Sequence, residues 1–220
     1  HTQTLVIDPF VTNTLSLTGT DAGKAKDVDF DYDGNVYVAG GGSLFSNLKL
    51  AKYDAGGTLL WTFSGSLPAL SWVFGTQCGG WVVDRGTGKI FVGQGVNIAG
   101  TRVIRLDANG VYDNFITSPD PLFTENWKMF WNCNNGSPQI LIAGGGIFTN
   151  VNLAVCSPPA TNLVSTNITG INSTFAQDIV DIAYDPVTNE IYSLFASQFL
   201  SPIVNDRLYK HAAPYNPANT

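Results

Sequence analysis

From Lys26 to Phe63 the chain reads KDVDFDYDGNVYVAGGGSLFSNLKLAKYDAGGTLLWTF. An apolar run holding Val28 and Phe30 meets the turn Asp33-Gly34-Asn35, and Val36-Tyr37-Val38 follows. Beyond a glycine-rich link come Leu48 to Tyr53, the turn Asp54-Ala55-Gly56-Gly57, and Thr58 to Phe63. Hydrophobic residues fall at roughly alternate places, with Gly, Asp and Asn at the turns. This pattern predicts four short strands joined by tight connections.

The pattern returns. Asn35-Val36-Tyr37-Val38 is echoed by Lys89-Ile90-Phe91-Val92, Gln139-Ile140-Leu141-Ile142 and Glu190-Ile191-Tyr192-Ser193, at spacings of 54, 50 and 51 residues. The third strand also recurs, as Leu48 to Asp54 and as Thr101 to Asp107, each followed by a glycine turn at Gly56 or Gly110. Four strands in a period near 50 residues predict an all-β fold, a β-propeller with four-stranded antiparallel blades. The blades are expected at about 24–65, 78–117, 125–169 and 177–220, the last lacking its outer strand. Residues 1–23 read as two strands, Thr4 to Ile7 and Thr14 to Leu17. The second of these is placed to complete the last blade and close a four-bladed ring. The alternative, which the loop-like Ala212 to Ala218 favours, is the front part of a larger propeller. No segment carries a sustained period of 3.6, so no helix is expected.

Composition narrows the function. Charged residues make up 13% of the 220, and the net charge is −6 with only 11 Lys and Arg. That leaves no basic stripe for nucleic acid or for an anionic lipid surface, and no apolar run is long enough to insert in a membrane as a helix. Few lysines, many Thr and Asn and five tryptophans point to an extracellular place. Cys133 and Cys156 end the first and third strands of one unit, at the same end of the blade, and are a candidate disulfide. Cys78 reads as a buried thiol. No His or second Cys stands at ligand spacing to any cysteine, so no metal site is expected there.

Several patterns suit a functional site and have a structural use as well. Asp29, Asp31 and Asp33 match the first half of a calcium loop, but Gly40 stands where such a loop needs a bidentate Glu, so alternation before a turn is the favoured reading. The links Gly40 to Asn47 and Gly144 to Asn150 lack the lysine and following helix of a phosphate cradle. Loops between and within blades gather Phe45, Trp72, Phe74, Phe123, Trp127 and Phe148 on one rim. These are the candidate ligand face, for a glycan or a protein, against the commoner use of aromatics as blade packing. No catalytic residue is assigned. The histidines stand near the ends, glutamates number two, and neither a Gly-x-Ser-x-Gly elbow nor a sialidase box occurs. Asn135, Asn167 and Asn172 begin glycosylation triplets that chance explains in an Asn- and Thr-rich chain.

The run Asp27 to Gly40, continued by Lys49 to Trp61, resembles the NHL and SBBP-type propeller repeats of secreted bacterial proteins. The chain as a whole resembles the N-terminal part of large surface proteins exported by the type IX secretion route and associated with gliding motility. The resemblance implies a cell-surface adhesin or display module, with secretion machinery as a partner and no shared catalytic residues. The expectation is therefore a non-enzymatic extracellular binding module, without a cofactor. The rivals are a propeller glycosidase or lyase with Asp carboxylates in the central funnel, a quinoprotein hinted at by Thr87-Gly88-Lys89, and a passive spacer or passenger.

Overall fold

A computed structural model describes residues 25–41, 47–75, 79–95, 97, 100–117, 121, 123–132, 138–146, 151–158, 163–168, 177–185, 187–197, 207–215 and 218. The predicted strands at Thr4 and Thr14, and Cys78, Asn135 and Asn172, lie outside this set. The first sheet is a meander of β1 (Ala25–Phe30), β2 (Val36–Gly40), β3 (Lys49–Tyr53) and β4 (Leu59–Phe63). A small hairpin follows, β5 (Ser66–Leu67) and β6 (Trp72–Val73), joined by a 3-10 turn at Pro68–Leu70. The second sheet holds β7 (Trp81–Val83), β8 (Ile90–Gly93), β9 (Arg102–Leu106) and β10 (Tyr112–Thr117). The third holds β11 (Glu125–Asn132), β12 (Gln139–Gly145), β13 (Leu153–Cys156) and β14 (Val164–Thr166). The fourth shows β15 (Gln177–Asp185), β16 (Glu190–Ser197) and β17 (Arg207–Ala212).

These sheets are the blades of a β-propeller. Val36, Ile90, Ile140 and Ile191 open the second strands of four separate sheets, and successive sheets pack face to face. The period of two in the strands explains the packing, because neighbouring side chains leave opposite faces of a sheet. On β8, Ile90 and Val92 join Tyr37, Leu50 and Phe63 of the first blade, while Phe91 joins Met129, Ile140 and Ile142 of the third. On β12, Leu141 and Ala143 face the other way, against Ile179, Ile182 and Ile191 of the fourth blade. The interior strands β8 and β12 are thus apolar on both faces and wedged between two neighbouring blades.

Aspartate builds the turns at one rim. Oδ1 of Asp54 accepts the backbone N–H of Gly56 and Thr58, and Oδ1 of Asp107 accepts those of Asn109 and Val111. Asp31, Asp84 and Asp185 each accept the N–H two residues on in the same way. The Asp side chain substitutes for a backbone carbonyl and fixes a tight loop. Gly110 completes one such turn at φ +78, and a Cβ there would stand 2.7 Å from the Trp61 ring. Trp61 donates its indole N–H to Ala108 O at 3.0 Å, so this turn is the socket in which the first blade grips the second.

His211 lies inside β17, fully buried, with Nε2 2.6 Å from Ser193 Oγ. It stacks on Tyr209, and burial holds its pKa below the ordinary value of 6.5.

Two predictions follow from this packing. Gly110→Ala should cost about 2 kcal/mol in urea unfolding, from backbone strain and collision with Trp61; an unchanged midpoint would refute the socket. The unfolded chain protonates histidine near pH 6.5 while the folded chain resists it, so stability falls as pH drops through that value. Melting curves at pH 7.5 and 5.5 should show the drop, and His211→Gln should flatten it.

Candidate functional site

The innermost strands β1, β7, β11 and β15 stand side by side around the propeller axis. Pairing with the second strands puts them in common register. Val28, Trp81, Met129 and Ile182 each face the corresponding residue of Val38, Val92, Ile142 and Ser193. A β-bulge interrupts three of the four at one place, between Ala25 and Asp27, Asn126 and Lys128, and Ile179 and Asp181. Bulges re-aim the side chain that follows. Here that residue is charged each time: Asp27, Lys128 and Asp181. The second blade has Gly80 at this level, packed so closely on β11 that a Cβ would stand 2.5 Å from Met129 N.

Because Gly80 has no side chain, Lys128 of the third blade reaches Asp27 of the first, Nζ to Oδ2, at 3.1 Å. One layer away, Arg85 Nη2 lies 3.2 Å from Asp29 Oδ1, and its guanidinium sits 4.2 Å from the centre of the Phe30 ring. Asp29 Oδ2 also accepts the Val83 N–H. These two ion pairs border a cleft of about 630 Å³. Both pairs are partly exposed, so each adds at most about 1 kcal/mol to stability. Their larger effect is to set the charge of the cleft wall.

The remaining wall is mostly aromatic. Trp81, Phe130, Trp131 and Tyr184 line it, with Tyr32 at the lip. Trp131 stacks on Phe91 at 5.5 Å, and Phe130 meets Tyr184 edge-on at 5.1 Å, which holds the rings in fixed planes. The Tyr184 hydroxyl donates to Asn189 Oδ1. The indole nitrogen of Trp81 is buried without a partner. The cleft therefore offers flat apolar rings beside two carboxylates, an ammonium and a guanidinium.

The expected site residues fall elsewhere. Trp72, Phe74 and Phe123 are fully buried, so they form no ligand face. Trp72 and Phe74 belong to the β5–β6 hairpin, which folds inward as a plug between the first two blades. Trp127 is half-buried and donates its indole N–H to Glu125 Oε2. Phe45 and Phe148 lie outside the described residues. The calcium reading is corrected as well, because Asp29, Asp31 and Asp33 do not converge. Asp29 turns to Arg85, while Asp31 is buried with Lys52 Nζ at 3.5 Å and the Tyr37 hydroxyl at 2.8 Å. Burial works to raise the Asp31 pKa, but hydrogen bonds from Asn35 and Tyr37 and the Lys52 charge hold it below the usual range. Burial and the Asp31 carboxylate push the Tyr37 phenol far above its usual value. Among the described residues no group of three or more His, Cys, Asp or Glu stands ready for a metal. Cys156 is buried in the second core, and Cys133, the partner expected for it, lies outside the described residues.

No protein-family model matches the sequence, and no curated protein matches it. Solved structures do. One is a protein of unknown function from Bacteroides caccae, with TM-score 0.43 and 11% identity over 85% of this chain and 60% of that one. Another is an endo-1,5-α-L-arabinanase from Thermotoga petrophila RKU-1, with TM-score 0.44 and 13% identity over 84% of this chain and 55% of that one. The chain spans little more than half the length of each. Likeness at this level concerns fold alone. An endo-arabinanase among the structural matches stands against the expectation of a non-enzymatic chain, while a likeness of fold assigns no activity to this one.

The two kinds of ion pair predict opposite mutational costs. Lys128→Met should change stability by no more than about 1 kcal/mol. Asp31→Ala strands the buried Lys52 ammonium and should cost about 3 kcal/mol or more. Equal costs in chemical denaturation would contradict this division.

Proposed function

We propose that the axial cleft is a saccharide-binding site, and that the protein is a propeller module acting on or holding polysaccharide outside the cell. The observation that carries the reading is the meeting of rigid ring faces with paired charges in one concave space. Sugar rings present C–H faces that pack on aromatic planes, and their hydroxyls need both donors and acceptors. Trp131 and Tyr184 supply planes; Arg85 and Lys128 donate; Asp27 and Asp29 accept. The lysine-poor composition and the resemblance to exported surface proteins support the extracellular setting and a role in attachment or display.

A second reading, hydrolysis or elimination at the same cleft, is favoured by one feature. Asp27 and Asp29 leave the same face of β1, with Cα atoms about 6.7 Å apart by strand geometry. Glycosidases work with two carboxyl groups about 5 to 10 Å apart, a range within reach of side chains carried at this backbone spacing. The propeller glycosidase among the structural matches makes an arabinan a reasonable member of the substrate panel.

The test is affinity electrophoresis and calorimetry against a polysaccharide panel, with reducing-end release measured in parallel. Trp131→Ala should weaken binding at least about tenfold, and Trp131→Phe should restore part of it. If bonds are broken, Asp29→Asn should abolish release. A panel with no binder and no turnover would overturn the reading.

A further inference from the structure

The charges of the cleft point further, to the class of sugar chain. Arg85 and Lys128 are the cations of the cleft wall, and each already has a carboxylate within 3.2 Å. Asp181 stands outside the cleft lining at the matching register on β15, exposed, and accepts the neighbouring Ile182 N–H. A uronate or sulfate group entering the cleft would have to take Lys128 from Asp27 or Arg85 from Asp29. The displaced carboxylate is anchored on β1 and stays close by. The displaced carboxylate and the incoming anion are then unpaired like charges side by side, and their repulsion offsets what the new pair would gain. The chain's net charge of −6 works in the same direction. A neutral hydroxyl meets no such barrier, since it donates to the carboxylate and accepts from the cation without separating them.

We propose that the cleft accepts uncharged sugar chains and rejects acidic ones, and that Asp27 is the specificity-determining residue, acting by keeping Lys128 neutralised. The glycine at position 80 makes this possible, because a larger residue at that level would stand between the two blades. This inference rests on the saccharide reading of the cleft.

The experiment compares retention of neutral glucan and mannan with that of polygalacturonate and alginate, at low and high salt. The wild-type protein should hold a neutral chain with little salt dependence and let the acidic chains pass. Asp27→Asn frees Lys128 and should raise the acidic-to-neutral retention ratio about tenfold, a gain that high salt removes. Lys128→Met should show no such gain. Circular dichroism and melting confirm that each variant is folded. Should Asp27→Asn fail that check, Asp29→Asn, which frees Arg85, gives the same comparison. Retention of acidic chains by the wild type, or folded variants without the gain, would overturn the inference while leaving the saccharide reading in place. Failure of every polymer to bind any of the proteins would remove both.

Discussion

A sheet of three or four short strands that is apolar on both faces cannot stand alone in water. Burial of each blade between neighbours is the constraint from which the rest of this structure derives. Phe91 and Ile90 are adjacent in sequence and lie in different cores, as do Leu141 and Ile140. At roughly 25 cal/mol per Å² of buried apolar surface, the stabilisation resides between blades more than within them. The sheets stack around an axis because each carries its own twist, and this stacking brings their first strands together.

Polar groups then fix how one blade sits on the next. Asp31, Tyr37 and Lys52 form a buried group at the first interface, where the Tyr37 hydroxyl lies 3.3 Å from Gly88 O and Lys52 reaches Ala108 O at 3.5 Å. Arg102 spans the same interface higher up, donating to Leu70 O, Ser71 O and Gln94 Oε1. Such groups are costly to bury and specific in their partners, so they set register where apolar contact alone would allow sliding. The pairs at the axis stand apart, since they border the open cleft and are partly exposed, although they too cross from blade to blade.

Much of this was legible in the chain. The repeated second strands and Asp turns announce the blades, because a strand buried on both faces must repeat its apolar run, and a tight turn must repeat its cap. The axial site was hidden. Its members are Asp27 and Lys128, 101 positions apart, and the connections before the second strands differ in length from blade to blade. The bulges also shift the first strands by one residue, which breaks the alternation that reveals the others. Aligning the first strands backward from Val38, Val92, Ile142 and Ser193 would have exposed the level shared by Asp27, Gly80, Lys128 and Asp181. The rim aromatics misled for a related reason. Trp72 and Phe74 lie between blades in the sequence, yet a two-residue hairpin carries them back into the core.

The five tryptophans stand in different places, with Trp81 shared between the axial cleft and the core of the first two blades. Trp131 and Trp81 line the axial cleft, Trp61 and Trp72 sit in the interface between the first two blades, and Trp127 binds Glu125. Nitrogen-15 NMR of the indole groups during titration with a neutral oligosaccharide therefore reads the central claim directly. The account predicts that the Trp131 and Trp81 signals move together while those of Trp61 and Trp72 stay still. Movement confined to Trp61 and Trp72, or no movement at saturating sugar, would contradict it.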